Sequence, residues 1–165
     1  MHNLTRREIS CWSQNKEKRE SSFDVQLFRF RPLSATQRLS QVRITVPTAL
    51  KTKPWEAAPS NQALTLFPIT TEVGEYYLQR YPPKTGFAQL LLTTIPVVLD
   101  AQYSTPGESL IHRGLYYLSA YVTIREKDPP IVEFNDFFFL QNIGMDVDVK
   151  TLVDKEFIRT QVTSQ

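Results

Sequence analysis

The chain of 165 residues is long enough to bury one continuous core without staples, and its 41% hydrophobic content is ordinary for a globular domain. A single cysteine, Cys11, excludes an internal disulfide, and with His2 and His112 as the only histidines a Cys/His zinc site cannot be assembled. The net charge of +2 conceals an asymmetry: residues 1–22 hold five cations and three acids, 23–127 eleven and seven, and 128–165 three and seven. An acidic C-terminal part of that kind is expected to fold against the basic part or to compete with an anionic ligand for it.

Residues 1–22 read as a charged arm. Thr5 followed by Glu8 makes a capping box, and Ile9 and Trp12 then lie three apart on one face of a short helix. A helix with only two apolar anchors is marginal alone, so the arm is expected either to dock through Ile9 and Trp12 on the domain or a protein partner or to stay partly disordered.

From Phe23 to Gln165 a single domain is expected, and its period is two. In 24–31, Phe28 and Phe30 share a face while Arg29 and Arg31 lie on the other; in 41–46, Val42, Ile44 and Val46 oppose Gln41, Arg43 and Thr45. If these two strands pair, the arginines collect on the outer side. Residues 47–62 read as a proline-rich surface loop carrying Lys51, Lys53 and Trp55. A strand over 64–69 follows, then 72–81, whose Val73, Tyr76, Tyr77 and Arg80 suit a helix and whose rings suit a strand equally, before Pro82 and Pro83 end it.

Residues 87–99 and 110–125 are expected to be the core strands, separated by a turn region with Pro106 and Gly107. The first is almost continuously apolar, which implies that both its faces are covered or that Pro96 bends it from one sheet to another. In the second, Tyr116, Leu118, Ala120, Val122 and Ile124 form the core set, leaving Tyr117 and Tyr121 on a more polar face. Residues 131–140 form another strand, although Asp136 falls among its apolar set and leaves neither face clean. Val149, Leu152, Val153 and Phe157 recur at helical spacing after Asp146 and Asp148, so a C-terminal amphipathic helix over about 147–159 is expected.

The chemistry of common enzymes is not legible here. The five glycines are too scattered for a phosphate-binding loop, and Ser104 or Ser109 with His112 and Asp100 would be a triad only by chance. Glu133 with Asp136 reads as an exposed acidic pair rather than a metal site. No cofactor, no metal and no catalytic residue is expected.

The fold expected is mainly β, a single barrel or sandwich of about six or seven strands with an N-terminal arm and a C-terminal helix; an α+β sheet capped by that helix is the alternative. A small OB-like barrel is an analogy from strand pattern alone. Between Asp24 and Glu56 there is no acid but six cations interleaved with rings. That pattern suits single-stranded nucleic acid, with Arg29, Arg31, Arg43, Lys51 and Lys53 tracking phosphates and Trp55, Tyr117 and Tyr121 offering stacking faces. The alternative is an assembly or structural subunit of a virion, phage or other large complex, meeting copies of itself or other proteins through Trp12, Ile9 and the terminal helix. No apolar run reaches the length of a membrane-spanning helix and the N-terminus is polar, so an intracellular location and no membrane partner are expected.

Overall fold

The structure, a computed structural model, describes residues 27–29, 36–56 and 63–163. It is mainly β with two helices, and among the described residues the strands are β1 (Leu27–Arg29), β2 (Arg38–Thr45), β3 (Trp55–Glu56), β4 (Ala63–Thr65), β5 (Gln89–Thr105), β6 (Glu108–Ile124) and β7 (Ile131–Asn142). The helices are α1 (Phe67–Arg80) and α2 (Val149–Thr163), and Thr48–Leu50 form one 3-10 turn. Five strands make an open antiparallel sheet in the order β3-β2-β5-β6-β7, and β1 and β4 form a separate two-stranded ribbon. The sheet does not close into a barrel, so the arrangement is a β-dominated α+β fold.

The hairpin of β5 and β6 is the spine. Every residue from Gln89 to Thr105 faces one from Ile124 to Glu108 without a register break, and the strands turn on Pro106 and Gly107 alone. Proline presets the first turn position, and Gly107, at φ 89°, takes the positive φ that the second demands. The broad turn region expected between residues 99 and 110 therefore shrinks to two residues.

The alternation read in β6 holds: Tyr116, Leu118, Ala120, Val122 and Ile124 are all buried, with Ile95, Val97 and Leu99 opposite on β5 and Val42 and Ile44 on β2. This inner face packs with Leu64 of β4, with Leu66 just after it, and with Ile69, Val73 and Tyr77 of α1. In β7 a register shift sets Ser119 opposite Asp136 but Ala120 opposite Phe134, leaving Asn135 as an extra residue. The bulge resolves the unclean pattern of this strand, because Val132, Phe134 and Phe137 all turn inward while Asp136 stays exposed.

Two expectations are corrected. The strand holding Arg29 pairs with β4, with Arg29 opposite Ala63, and not with β2, whose neighbours are β3 and β5. The strand expected over 64–69 stops at Thr65, because Pro68 lies in the first turn of α1, where its missing N–H costs nothing. The ambiguous segment 72–81 is the rest of that helix. Gly74 within it lets Pro130 approach closely, since a Cβ there would lie 3.1 Å from that of Pro130.

Helix α2 starts with Asp148, whose carboxylate accepts from the Thr151 hydroxyl at 2.8 Å and the Thr151 N–H at 3.4 Å. Val153 packs on Val98 and Leu115 of the outer sheet face, and Phe157 reaches the main core, with its ring 5.2 Å from that of Tyr76. Beyond the end of β2 the edge of β5 is open, and there Thr160 Oγ1 and Gln161 Nε2 donate to the carbonyl of Thr94 at 3.2 and 3.4 Å. The helix thus occupies the place of a missing strand. Tyr77 ties the layers together: its hydroxyl bonds Thr93 and donates to Gln161 Oε1 at 2.7 Å.

Candidate interaction surface

The cations and rings singled out in the sequence are dispersed. Arg43 is exposed on the outer face, but its cross-strand neighbours are Glu56 on β3 and Asp100 on β5. Asp100 in turn accepts from Arg113 Nε at 2.5 Å and Nη2 at 3.4 Å, so this row alternates in sign and is not a positive stripe. Lys51 ends the 3-10 turn in the left-handed conformation, at φ 51°, and Lys53 follows two residues later; both are exposed. Arg29 lies on the ribbon. Arg31, Trp12 and Ile9 lie outside the described residues.

Trp55 faces inward. It sits opposite Ile44, packs half-buried against the main core, and its indole N–H donates to the Thr65 carbonyl at 3.0 Å. Tyr117 lies under α2, where its hydroxyl donates to Glu156 at 3.1 Å and accepts from Arg159 at 2.7 Å. Burial, reinforced by Glu156, pushes its phenol above the ordinary pKa. Arg159 closes the triangle on Glu156 at 2.7 Å. Tyr121 shares the face of Tyr117, about 13 Å farther along the strand, and is exposed. From Arg113, in the row of Arg43, to Tyr121 is eight positions, about 27 Å, and α2 packs on Leu115 within that interval. Arginine row and tyrosines therefore do not share one groove.

The outer face does present another continuous surface. Past the end of α2, three strands lie side by side with Leu90 opposite Thr123 and then Ile131, and Leu92 opposite Tyr121 and then Glu133. Leu90 is 67% exposed, Leu92 61% and Ile131 45%. Phe138 and Leu140 are also exposed farther along β7, beyond Glu133 and Asp136, and Leu140 lines a cleft of about 690 Å³ between α2 and the sheet, with Leu115, Tyr117, Glu156 and Arg159. The polar groups of the cleft bond to one another, and among the described residues no buried side-chain polar atom lacks a partner. His112 sits by Phe139, ring centres 6.1 Å apart, and burial pushes its pKa below the ordinary value against the pull of Asp100.

Leu90, Leu92, Ile131, Phe138 and Leu140 were not singled out as functional from the sequence. The signal present was the almost continuously apolar run in 87–99, which reads as a strand covered on both faces or bent at Pro96; the structure covers only one face at its first residues. A second signal was the run Phe137 to Leu140, too apolar for a strand with a solvated face.

Among the described residues no helix is long and apolar enough to cross a membrane, and no group of three or more His, Cys, Asp or Glu side chains converges as a metal site would require. Compared with protein-family models, with curated proteins and with solved structures, the chain matches none, so the surface itself is what bears on function.

Proposed function

We propose that this chain is a non-catalytic assembly subunit that associates with other copies of itself through the uncovered outer face and β7. The observation that carries the reading is the group of Leu90, Leu92, Tyr121 and Ile131 on three adjacent strands, exposed beside an otherwise well-buried core. Contiguous apolar area of this kind is left bare in folded proteins chiefly where another surface covers it. Single-stranded nucleic-acid binding has less support: Arg43 neighbours two acids, the ring of Trp55 packs on the core, and the hydroxyl of Tyr117 is engaged by α2.

Sedimentation equilibrium of the purified protein up to about 1 mM, where even an association of about 4 kcal/mol is populated, tests the reading. Concentration-dependent mass above the monomer is expected, weakened by Leu92→Glu. A protein that stays monomeric throughout overturns it. A salt titration with a labelled single-stranded oligonucleotide runs beside it: steep salt dependence, abolished by reversing Arg43, Lys51 and Lys53 together, would favour the nucleic-acid reading instead.

A further inference from the structure

Independently of the assembly reading, we propose that the cleft between α2 and the sheet binds a small uncharged molecule that combines an apolar body with an amide-type group able to donate and to accept hydrogen bonds.

The walls of this cleft are fixed by the fold. Its floor is β6 at Leu115 and Tyr117; α2 lies on the β5 side, and β7 forms the other wall. One end is crossed by the connection from β7 to α2, which is held where the Ile143 N–H donates to the Arg113 carbonyl at 2.9 Å and Arg113 Nη1 donates to the Met145 carbonyl at 3.4 Å. A volume of about 690 Å³ lies within the range of about 300–1,000 Å³ usual for small-molecule sites.

Strand β7 supplies its wall through a bulge. Adjacent side chains of a regular strand point to opposite faces, but the register passes from Phe139 opposite Tyr116 to Gln141 opposite Leu115 and leaves Leu140 unpaired between them. Leu140 and Gln141 both line the cleft. An apolar side chain and a carboxamide therefore stand next to each other on one wall. Gln141 is exposed and makes no side-chain hydrogen bond among the described residues, so its amide has a donor and an acceptor to offer.

The α2 wall decides the charge of the ligand. Glu156 takes all its bonds on Oε2: from the Tyr117 hydroxyl at 3.1 Å, from Arg159 Nε at 3.1 Å and from Arg159 Nη2 at 2.7 Å. Its Oε1 has no partner among the described residues, and since none of their buried side-chain oxygens is left unpartnered, this one is open to solvent. A charged head would meet Glu156 and Arg159 together, one attracting and the other repelling at similar range, and would gain little. An uncharged N–H reaching Oε1 makes a hydrogen bond to an ionised acceptor, which is the stronger kind, and neither charge opposes it. Leu140 and the half-buried ring of Tyr117 remain for the hydrocarbon.

The test titrates the full chain, at about 0.1 mM, with 3-phenylpropanamide, 3-phenylpropanoate and 3-phenylpropylammonium, three probes of closely matched size, and follows backbone amide shifts by nuclear magnetic resonance; ligands this small bind with millimolar dissociation constants. The amide is expected to saturate, with shifts centred on Leu115, Tyr117, Gln141 and Glu156, and to bind about fivefold or more tighter than either ion. Glu156→Gln takes this carboxylate from Arg159 and is expected to turn the preference toward the propanoate. Arg159→Gln leaves Glu156 unneutralised and is expected to turn it toward the propylammonium. A purely structural role for the pair would weaken all three probes alike. Should Glu156→Gln loosen α2, Arg159→Gln carries the test, because that side chain is 67% exposed. No saturable shift with any probe up to about 20 mM overturns the proposal, as does equal binding of all three. Shifts confined to Leu90, Leu92 and Tyr121 overturn it too, since the probe would then sit on the uncovered face.

Discussion

Tyr77 joins α1, β5 and α2 through one hydroxyl, and Tyr77→Phe removes that hydroxyl while keeping the buried ring. At neutral pH the variant leaves Thr93 and Gln161 short of a partner at a site only 3% exposed, which costs about 1–3 kcal/mol. The cost should not be constant with pH. Burial pushes the Tyr77 phenol up to about 12, against 10.0 for the unfolded chain. Above pH 10 the unfolded chain releases this proton while the folded chain keeps it, so the wild type loses stability as pH rises toward 12. For these two ionisations the loss is about 1.4 kcal/mol by pH 11 and about 2.3 kcal/mol by pH 12. The phenylalanine variant has no such proton. Tyr116, also pushed up to about 12 by burial, titrates in both proteins and cancels from the difference. Urea unfolding followed by circular dichroism at about pH 7, 9, 10 and 11 should therefore show the variant less stable at neutral pH, with the gap closing by about 1.4 kcal/mol at the alkaline end. A gap that stays the same across that range, or a variant as stable as the wild type at pH 7, would refute the reasoning.

Trp55→Ala should cost about 2–3 kcal/mol of stability, somewhat less than a fully buried ring, and leave any oligonucleotide binding unchanged, because its indole is bonded to Thr65 and packed on the core; denaturant unfolding beside the salt titration measures both, and a stable variant with lost binding would mean that the ring faces a ligand. Gly114→Ala should cost about 1–3 kcal/mol, since its Cβ would lie 2.8 Å from Cε2 of buried Tyr116 and 3.2 Å from that of Phe139; a thermal melt that does not shift would mean the rings turn aside freely.

What could be read from the sequence was local. The alternation in 116–124 named five core residues that are all buried, and the spacing of Val149, Leu152, Val153 and Phe157 located α2. Both follow from periodicity, because a strand or helix with one buried side writes that side into its own residues. Gly107 and Pro106 marked the hairpin turn for the same reason. The pairing of β1 with β4, the inward turn of Trp55, and the bareness of Leu90 and Leu92 were not legible. Each depends on which distant segment lies alongside: β2 ends before it can flank the start of β5, and α2 ends before it can cover Leu92 and Tyr121. The cations of β2 and the tyrosines of β6 even share a sheet face, as their alternation required, yet the row of Arg43 and Tyr121 are separated by about 27 Å with α2 packed between. Side-chain direction is a property of neighbouring residues, whereas exposure and convergence are decided by contacts between segments far apart in the chain, and only the folded sheet brings those into being.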